Sequence, residues 1–192
     1  MEIVDTAIAE VKIVRPVQHH DQRGFFSETY NKRALAAVGI ELDFVQDNHT
    51  LSPASGTIRG LHFQTPPHAQ AKLVRVVRGA VFDVAVDIRH GSPTFGQHVA
   101  TVLNAADWHQ LLVPAGFAHG CCTLEPDTEV LYKVTRHYSP AHDEGVLWND
   151  PALMIPWPVD EGLVIVSARD RAWPTLSACR AYFQYDGDGN LG

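Results

Sequence analysis

Two consecutive segments with a period of two constrain the fold more than any other feature of this sequence. They span residues 72–78 and 81–88, and only Gly79 and Ala80 separate them. A period of two places alternate side chains on opposite faces of a β-strand. The second segment has Phe82, Val84, Val86 and Ile88 on one face and Asp83, Ala85 and Asp87 on the other. We therefore expect two strands, joined by a hairpin turn at Arg78-Gly79.

Further short segments continue this series along the chain. Residues 99–103, 110–113 and 130–134 are typical of strands, and their spacing predicts an antiparallel sandwich or barrel. A helix is predicted just after Asn31, a good N-cap residue, and before Gly39, with another short helix near Ser167. No linker or repeat divides the chain. We expect one all-β domain over residues 1–192, with a flexible tail from about residue 180.

Composition excludes two broad classes of partner. The formal net charge of −7 argues against a nucleic-acid surface, because neutralising phosphates requires a basic face. No segment approaches the roughly 18–20 apolar residues that cross a bilayer, so no membrane partner is expected. The first residues carry acids where a signal peptide carries basic residues. We therefore expect a cytoplasmic protein.

The three cysteines favour buried, reduced thiols over a disulfide framework. Their number is odd, and Cys121 and Cys122 are adjacent. A catalytic cysteine needs a partner base and a lowered thiol pKa, and spacing alone shows neither. Core packing is therefore the favoured interpretation of these residues.

A small set of basic side chains indicates proton-transfer chemistry. Arg59 and His62 stand in the segment 59–64, Lys72 follows shortly after, and His119 lies in the segment 114–120. Histidine takes or gives a proton near neutral pH. Together these residues predict a site that removes a proton from an anionic substrate.

The same two histidine segments resemble the motifs of a cupin-type jelly-roll barrel. Pro114-x-Gly116-x-x-His119 is similar to the second cupin motif, and Gly60-x-His62-x-Gln64 to the first. A metal-binding cupin has a second histidine where Gln64 stands, and an amide is a poor substitute in a transition-metal site. No metal is therefore predicted. A metal-dependent cupin isomerase or dioxygenase remains the alternative from another class of enzyme.

Taken together, an ordered set of motifs resembles the dTDP-4-dehydrorhamnose 3,5-epimerase family of deoxysugar and polysaccharide biosynthesis. The resemblance covers roughly residues 10 to 176. Its segments, in chain order, span residues 21–28, 46–49, 59–64, 70–74, 82–89, 92–96, 114–120, 132–133, 138–140, 148–151 and 155–158. It implies a jelly-roll isomerase without a cofactor. The implied reaction inverts C3, C5 or both in a dTDP-linked 4-keto-6-deoxy sugar.

The resemblance also implies a role for each catalytic residue. His62 matches the base, and Asp170 matches the carboxylate that orients this histidine. Lys72 matches the residue beside the C4 oxygen, where a fixed charge stabilises an enolate. Tyr132 matches the acid on the opposite face of the sugar.

Eight further positions match substrate-binding residues of the family. Anion binding is expected from Arg59, with His119 and Arg23 as further matching positions, since a guanidinium suits phosphate oxygens. The remaining matches are Phe26 and Glu28 in a thymidine-contacting segment, and Gln46, Asn48 and Tyr138 along the substrate. In the family that segment typically reaches in from the partner subunit. The resemblance therefore implies a homodimer formed by strand exchange.

Several points stay open from the sequence. The choice between C3, C5 and both is not settled, and a noncatalytic sugar-nucleotide binding module is a third hypothesis. Asp83 and Asp87 fit a solvated strand face, although a buried Asp83 would be a second partner for His62. Arg59 and His62 lie three residues apart, so a regular strand points them to opposite faces. If both line one cavity, we expect a bulge or twist near Gly60.

Overall fold

The computed structural model describes residues 1–187, and nearly all of its regular secondary structure is β-strand. The strands are β1 (Glu2–Asp5), β2 (Lys12–Arg15), β3 (His19–Asp21), β4 (Gly24–Phe26), β5 (Gln46–Ser52), β6 (Thr57–Gln64), β7 (Lys72–Arg78), β8 (Ala80–Asp87), β9 (Arg89–His90), β10 (His98–Asn104), β11 (Gln110–Val113), β12 (Phe117–Thr123), β13 (Thr128–Val134), β14 (Asp143–Gly145), β15 (Ile165–Val166) and β16 (Phe183–Gln184). The five strands predicted from alternation and apolar runs are present as β7, β8, β10, β11 and β13.

These strands form two main sheets. Sheet I has the order β1-β2-β11-β7-β13-β5, and sheet II has the order β10-β8-β12-β6-β14, with β15 alongside β6. All pairings along these two orders are antiparallel, while β15 runs parallel to β6. Buried apolar side chains from both sheets pack together between them. The predicted antiparallel sandwich is therefore confirmed.

The turn at Arg78-Gly79 is not the hairpin that the sequence predicted. β7 pairs with β11 and β13 in sheet I, whereas β8 pairs with β10 and β12 in sheet II. Gly79 adopts φ +74°, and a Cβ there would lie 2.4 Å from the Thr128 hydroxyl oxygen. Glycine thus permits the sharp corner at which the chain passes from one sheet to the other.

The outer face of sheet II is covered by the C-terminal third of the chain. Val84 and Val86 pack there against Val146, Leu153 and Leu176. β8 is consequently buried on both faces. Its alternation therefore does not separate core from solvent, and the expectation of a solvated face for Asp83 and Asp87 is wrong: both are fully buried.

The helices are few and short, as predicted. Helix α1 spans Lys32–Ala36, and the Asn31 side chain accepts a hydrogen bond from the Ala34 amide at 3.1 Å, as expected of an N-cap. Two single-turn 3-10 helices span Pro140–His142 and Leu176–Ala178. The helix expected near Ser167 is absent, because the chain there forms one turn after β15.

The first residues of the predicted flexible tail form regular structure and pack against the rest of the chain. β16, at Phe183–Gln184, pairs in parallel with β9, and Tyr182 packs against the cluster on sheet II. The last residues of that predicted tail, 188–192, lie outside the described part of the chain. No helix among residues 1–187 is long and apolar enough to span a membrane.

Candidate active site

A cavity of about 540 Å³ lies between the two sheets. Half of the predicted site residues line it: Arg59, His62, Lys72, His119, Tyr132 and Asp170. β6 and β12 of sheet II carry the two histidines, and β7 and β13 of sheet I carry the lysine and the tyrosine. The imidazole of His62 and the phenol of Tyr132 therefore enter one space from opposite sheets.

A short contact in the cavity joins His62 to Asp170, which is distant in sequence. Their Nε2 and Oδ1 atoms are 2.7 Å apart, and Asp170 is 4% exposed. Burial raises the pKa of the Asp170 carboxyl, but hydrogen bonds from His62, the Gly60 amide and Ser167 outweigh it, so the net pKa is lowered. An ionised carboxylate only accepts hydrogen bonds, so Nε2 of His62 carries a proton. This assigns the free lone pair of the neutral ring to Nδ1, as a base requires.

Lys72 holds a cation at the centre of the site. Its side chain is buried, and Nζ donates to the His62 carbonyl oxygen at 3.2 Å. Burial lowers its pKa from 10.5 to about 8, against the opposing influence of Asp143 and Asp83. The ammonium thus stays charged at neutral pH in a buried position, where electrostatic interactions are strong.

Tyr132 places a phenol in the cavity from sheet I. It lies on β13 opposite Val74 of β7, one strand away from Lys72. Burial, with a smaller contribution from Cys121, raises the pKa of its phenol above the ordinary value of 10. The phenol therefore keeps its proton at neutral pH and is available as a donor.

Arg59 and His62 line the same cavity because β6 is irregular between them. The pairing of β6 with β12 shifts by one residue between His119 and Cys121, and Gly60 adopts φ +127°. The bulge expected near Gly60 is therefore present. Nε of Arg59 donates to the Ser52 hydroxyl at 3.1 Å, which leaves the guanidinium at the cavity wall.

His119 forms a second imidazole–carboxylate pair, directly opposite His62 in the register of the sheet. Its Nε2 lies 2.9 Å from Oδ1 of Asp83, and that carboxylate is fully buried. Asp83 is therefore the partner of His119 and not of His62. The other buried acid on this strand, Asp87, accepts hydrogen bonds from Arg89 and lies outside the cavity lining.

Three predicted substrate residues, Gln46, Asn48 and Tyr138, are not among the side chains that line the cavity. Asn48 is, however, the register partner of Tyr132, which does line it. Gln46 and Asn48, on the edge strand β5, bond each other through their side-chain amides at 2.9 Å. Oε1 of Gln46 also accepts from the Tyr138 amide at 2.9 Å. The Tyr138 phenol donates to Oδ2 of Asp143 at 2.8 Å, and its ring is half exposed.

The remaining three predicted residues lie away from the cavity of their own chain. Arg23 stands at the tip of the β3–β4 hairpin and pairs with Asp21, and Phe26 on β4 is 67% exposed. Glu28 accepts a hydrogen bond from the side-chain amide Nδ2 of Asn31 at 2.9 Å. The hairpin with its following residues to 28, which we call the β3–β4 arm, therefore presents these side chains to the exterior.

The sequence did not identify several side chains at the site. Arg169 lines the cavity and pairs with Asp143 at 2.7 Å, and Ser167 lies beside it. Both belong to the segment that contains Asp170, so their proximity to it was the available indication. Cys121 also lines the cavity, and burial together with Asp83 raises the pKa of its thiol. Cys121 is thus a buried thiol in the cavity wall that does not ionise readily to a thiolate.

The cavity does not offer a metal-ion donor set. Among residues 1–187, no group of three or more His, Cys, Asp or Glu side chains could hold an ion. Gln64 occupies the position of the missing cupin ligand, and its side-chain oxygen accepts from the Ser139 amide at 2.7 Å. The residues present therefore do not fit the ligand arrangement of a metal-dependent cupin.

Comparison with known proteins identifies the family. The sequence profile for dTDP-4-dehydrorhamnose 3,5-epimerase matches residues 5–178. The chain belongs to this family. A curated dTDP-4-dehydrorhamnose 3,5-epimerase from Sinorhizobium fredii is 50% identical over 179 residues, which cover 93% of this chain and 91% of the relative. The family is one of isomerases with a cupin-type jelly-roll fold, so the enzyme class and fold predicted from the sequence are confirmed.

Solved structures of epimerases in this family agree with this fold. The Bacillus anthracis enzyme, solved with TDP and pyrophosphate bound, is 51% identical with a TM-score of 0.87, covering 91% of this chain and 98% of its own. The Legionella pneumophila enzyme, solved with dTDP-4-keto-L-rhamnose, is 43% identical with a TM-score of 0.90, covering 96% and 98%. The match is thus nearly complete in both directions.

Proposed function

We propose that this protein epimerises C3 and C5 of dTDP-4-dehydro-6-deoxy-D-glucose to give dTDP-4-dehydro-L-rhamnose, without a metal or organic cofactor. The observation that supports this most strongly is the arrangement of His62 and Tyr132 on opposite sheets, with the Lys72 ammonium in the same cavity. Inversion at carbon requires a proton to leave from one face and return to the other. A base and an acid on facing sheets meet this requirement.

Each inversion begins with a proton transfer to His62. The C4 ketone acidifies the neighbouring C–H bond, and Nδ1 of His62 takes the proton while the electron pair delocalises onto the C4 oxygen. Asp170 stabilises the resulting imidazolium through its 2.7 Å contact with Nε2. Lys72 stabilises the enolate oxygen, an interaction that strengthens as charge develops.

The reaction is completed from the other face. The Tyr132 O–H gives its proton to the enolate carbon, the ketone re-forms, and a phenolate remains. The enzyme returns to its starting state when His62 loses its proton and Tyr132 regains one. The same sequence at the second carbon yields the doubly inverted product.

We assign binding of the nucleotide diphosphate to cationic side chains of the cavity wall. Arg59 and Arg169 are both arginines of the cavity wall, and Arg59 is the predicted anion ligand. The bound ligands of the two solved relatives, TDP with pyrophosphate and a dTDP sugar, support a dTDP-linked substrate. A few focused cations are compatible with the net charge of −7.

We further propose that the protein is a cytoplasmic homodimer in which each β3–β4 arm serves the partner's cavity. In support, Arg23 and Phe26 are exposed and do not line the cavity of their own chain. The three free cysteines favour a reducing compartment. Mixing Arg23→Ala with His62→Ala chains tests the arm: heterodimers with one intact site should restore roughly a quarter of wild-type activity. No recovery after confirmed subunit exchange would refute the shared site.

The proposed reaction is tested by proton NMR in D₂O. Wild-type enzyme should introduce deuterium at both C3 and C5 of the 4-keto sugar, and His62→Ala should abolish both exchanges. Exchange at one carbon alone would establish a C3-only or C5-only epimerase. Tight dTDP binding without exchange would indicate a binding module, and activity lost to a chelator would revive the metal-dependent alternative.

A further inference from the structure

Gln64 connects two loops, the one between β6 and β7 and the one between β13 and β14. Its side chain is 3% exposed at the end of β6. Nε2 donates to the carbonyl oxygens of His68 at 2.8 Å and His137 at 3.3 Å, and Oε1 accepts from the Ser139 amide at 2.7 Å. All three hydrogen bonds go to main-chain atoms, and two of these atoms belong to the residues on either side of Tyr138.

Only an amide satisfies this arrangement. The two carbonyl groups require N–H donors, and the Ser139 amide requires an acceptor. A carboxylate offers no donor, and a neutral imidazole offers one donor and one acceptor. The amide at position 64 is therefore matched to the backbone around residue 138, and unmatched buried polar groups would destabilise this arrangement.

The phenol of Tyr138 is held by Asp143, which lies across from Gln64 on the neighbouring strand. Asp143 on β14 is the register partner of Gln64, and its carboxylate accepts the Tyr138 O–H at 2.8 Å. The Tyr138 amide itself is bonded by Gln46 at 2.9 Å. Gln64 and Gln46 thus fix the main chain around Tyr138, and Asp143 fixes its phenol.

The position of Tyr138 bears on the chemistry because its phenol lies next to the cavity wall. The Tyr138 O–H and the guanidinium of Arg169, which lines the cavity, contact the same Oδ2 atom of Asp143, at 2.8 Å and 2.7 Å. Tyr138 also makes the smallest contribution to the raised pKa of Tyr132. One base and one acid must act at two carbons on either side of C4, so the ring has to move between the two exchanges. A side chain held beside the cavity limits the orientations that the ring can adopt.

We propose that Gln64 is a positioning residue that fixes Tyr138 beside the cavity and thereby sets the balance of proton exchange between C3 and C5. This inference rests on the proposed function. Gln64 itself acts through the main chain of residues 137–139 and needs no contact with the substrate. Its replacement should alter the ratio of the two exchange rates, which does not depend on the amount of folded enzyme.

The test compares Gln64→Met with Gln70→Met. Gln70 is a matched control because its Nε2 donates to the Arg136 carbonyl oxygen at 2.7 Å, in the same segment but short of Tyr138. In D₂O, Gln64→Met should change the C5-to-C3 exchange ratio by about tenfold, whereas Gln70→Met should keep the wild-type ratio. Amide hydrogen exchange at Ser139 should also accelerate by about tenfold in Gln64→Met alone.

The outcomes separate this inference from the function on which it rests. A folded Gln64→Met enzyme with the wild-type ratio overturns the positioning role, even where its overall rate falls. If Gln64→Met does not fold, Gln64→Glu decides by the same ratio, because it keeps an oxygen for the Ser139 amide and sets a carboxylate oxygen against two carbonyl groups. Wild-type enzyme without exchange at either carbon refutes the proposed function instead. The rate of amide hydrogen exchange at Ser139 then decides whether Gln64 holds the segment 137–139.

Discussion

Replacing Lys72 by Met should stabilise the folded protein at neutral pH while removing catalysis. Lys72 is 7% exposed, and burial lowers its pKa from 10.5 to about 8. At pH 7 the folded state holds a charged group that water would solvate better. This depression of the pKa corresponds to a cost of roughly 3 kcal/mol in unfolding free energy. A buried thioether of similar length carries no such cost.

The gain should depend on pH in a defined direction. Between pH 8 and 10.5, unfolded Lys72 binds a proton that the folded side chain has released, so wild-type stability rises with pH across this window. The advantage of Lys72→Met is therefore complete below about pH 8 and fades towards pH 10.5. From these two pKa values we expect about 3 kcal/mol at pH 7 and about 1 kcal/mol at pH 9.5.

Urea unfolding of the wild type and the variant at these two pH values measures the difference directly. Met also forfeits the hydrogen bond from Nζ to the His62 carbonyl, a loss common to both conditions, so the change between them isolates the charge. Lys133→Met is the control, because Lys133 on the next strand pairs with exposed Asp47 and should give no gain. A Lys72→Met advantage that is equal at both pH values, or absent at pH 7, would refute the reasoning.

Three further predictions concern the dyad, the bulge and the thiols. Asp170→Asn should lower kcat by roughly 10³–10⁴-fold with the fold intact, because the amide no longer fixes the His62 tautomer. The rate of deuterium incorporation into the substrate measures this loss. Gly60→Ala puts a Cβ within 2.6 Å of the opposing backbone at φ +127° and should cost roughly 3 kcal/mol in urea unfolding. Gly39→Ala, with φ +85° and open space around it, should cost only about 1 kcal/mol. Iodoacetamide should leave Cys121 unlabelled at pH 7.5 until urea is added, since burial raises its thiol pKa; mass spectrometry of digests decides.

Local chemistry predicted the strands because alternation reflects the geometry of each strand itself. It could not predict how strands are shared between the sheets, since that depends on contacts between distant segments. Arg78-Gly79 has the composition of a hairpin turn, yet the chain turns there into the other sheet. A corner between sheets and a hairpin turn both need a residue with a positive φ, so both favour glycine.

The acidic face of β8 illustrates a second limit. A strand with apolar and polar faces normally borders water, so Asp87 was expected on a solvated face. In the structure its carboxylate accepts from the backbone and side chain of Arg89 and from the Ser92 hydroxyl. Those partners follow within five residues, so a buried network was encoded locally. What the sequence did not reveal is that the C-terminal segment covers the other face of the strand.

The site combines both kinds of information. The bulge between Arg59 and His62 was derived from their spacing and the intervening glycine, and the structure contains it. The contact of His62 with Asp170 joins residues 108 positions apart, so only the family resemblance pointed to it. The role of Gln64 was recognised only as a missing metal ligand, because hydrogen bonds to main-chain atoms leave no trace in residue spacing.

The sandwich itself explains how one base and one acid can invert a carbon centre. His62 and its carboxylate partner belong to the sheet II side, whereas Tyr132 and Lys72 project from neighbouring strands of sheet I. The separation of the two sheets therefore sets the distance between proton acceptor and proton donor, and apolar side chains between them, including Val74 and Val130, maintain it. Packed cores resist continuous deformation, so the enzyme cannot bring its acid and base to a second carbon by moving the sheets. The ring must move instead, and for that reason the groups beside the cavity, rather than the catalytic pair, should govern which carbon reacts.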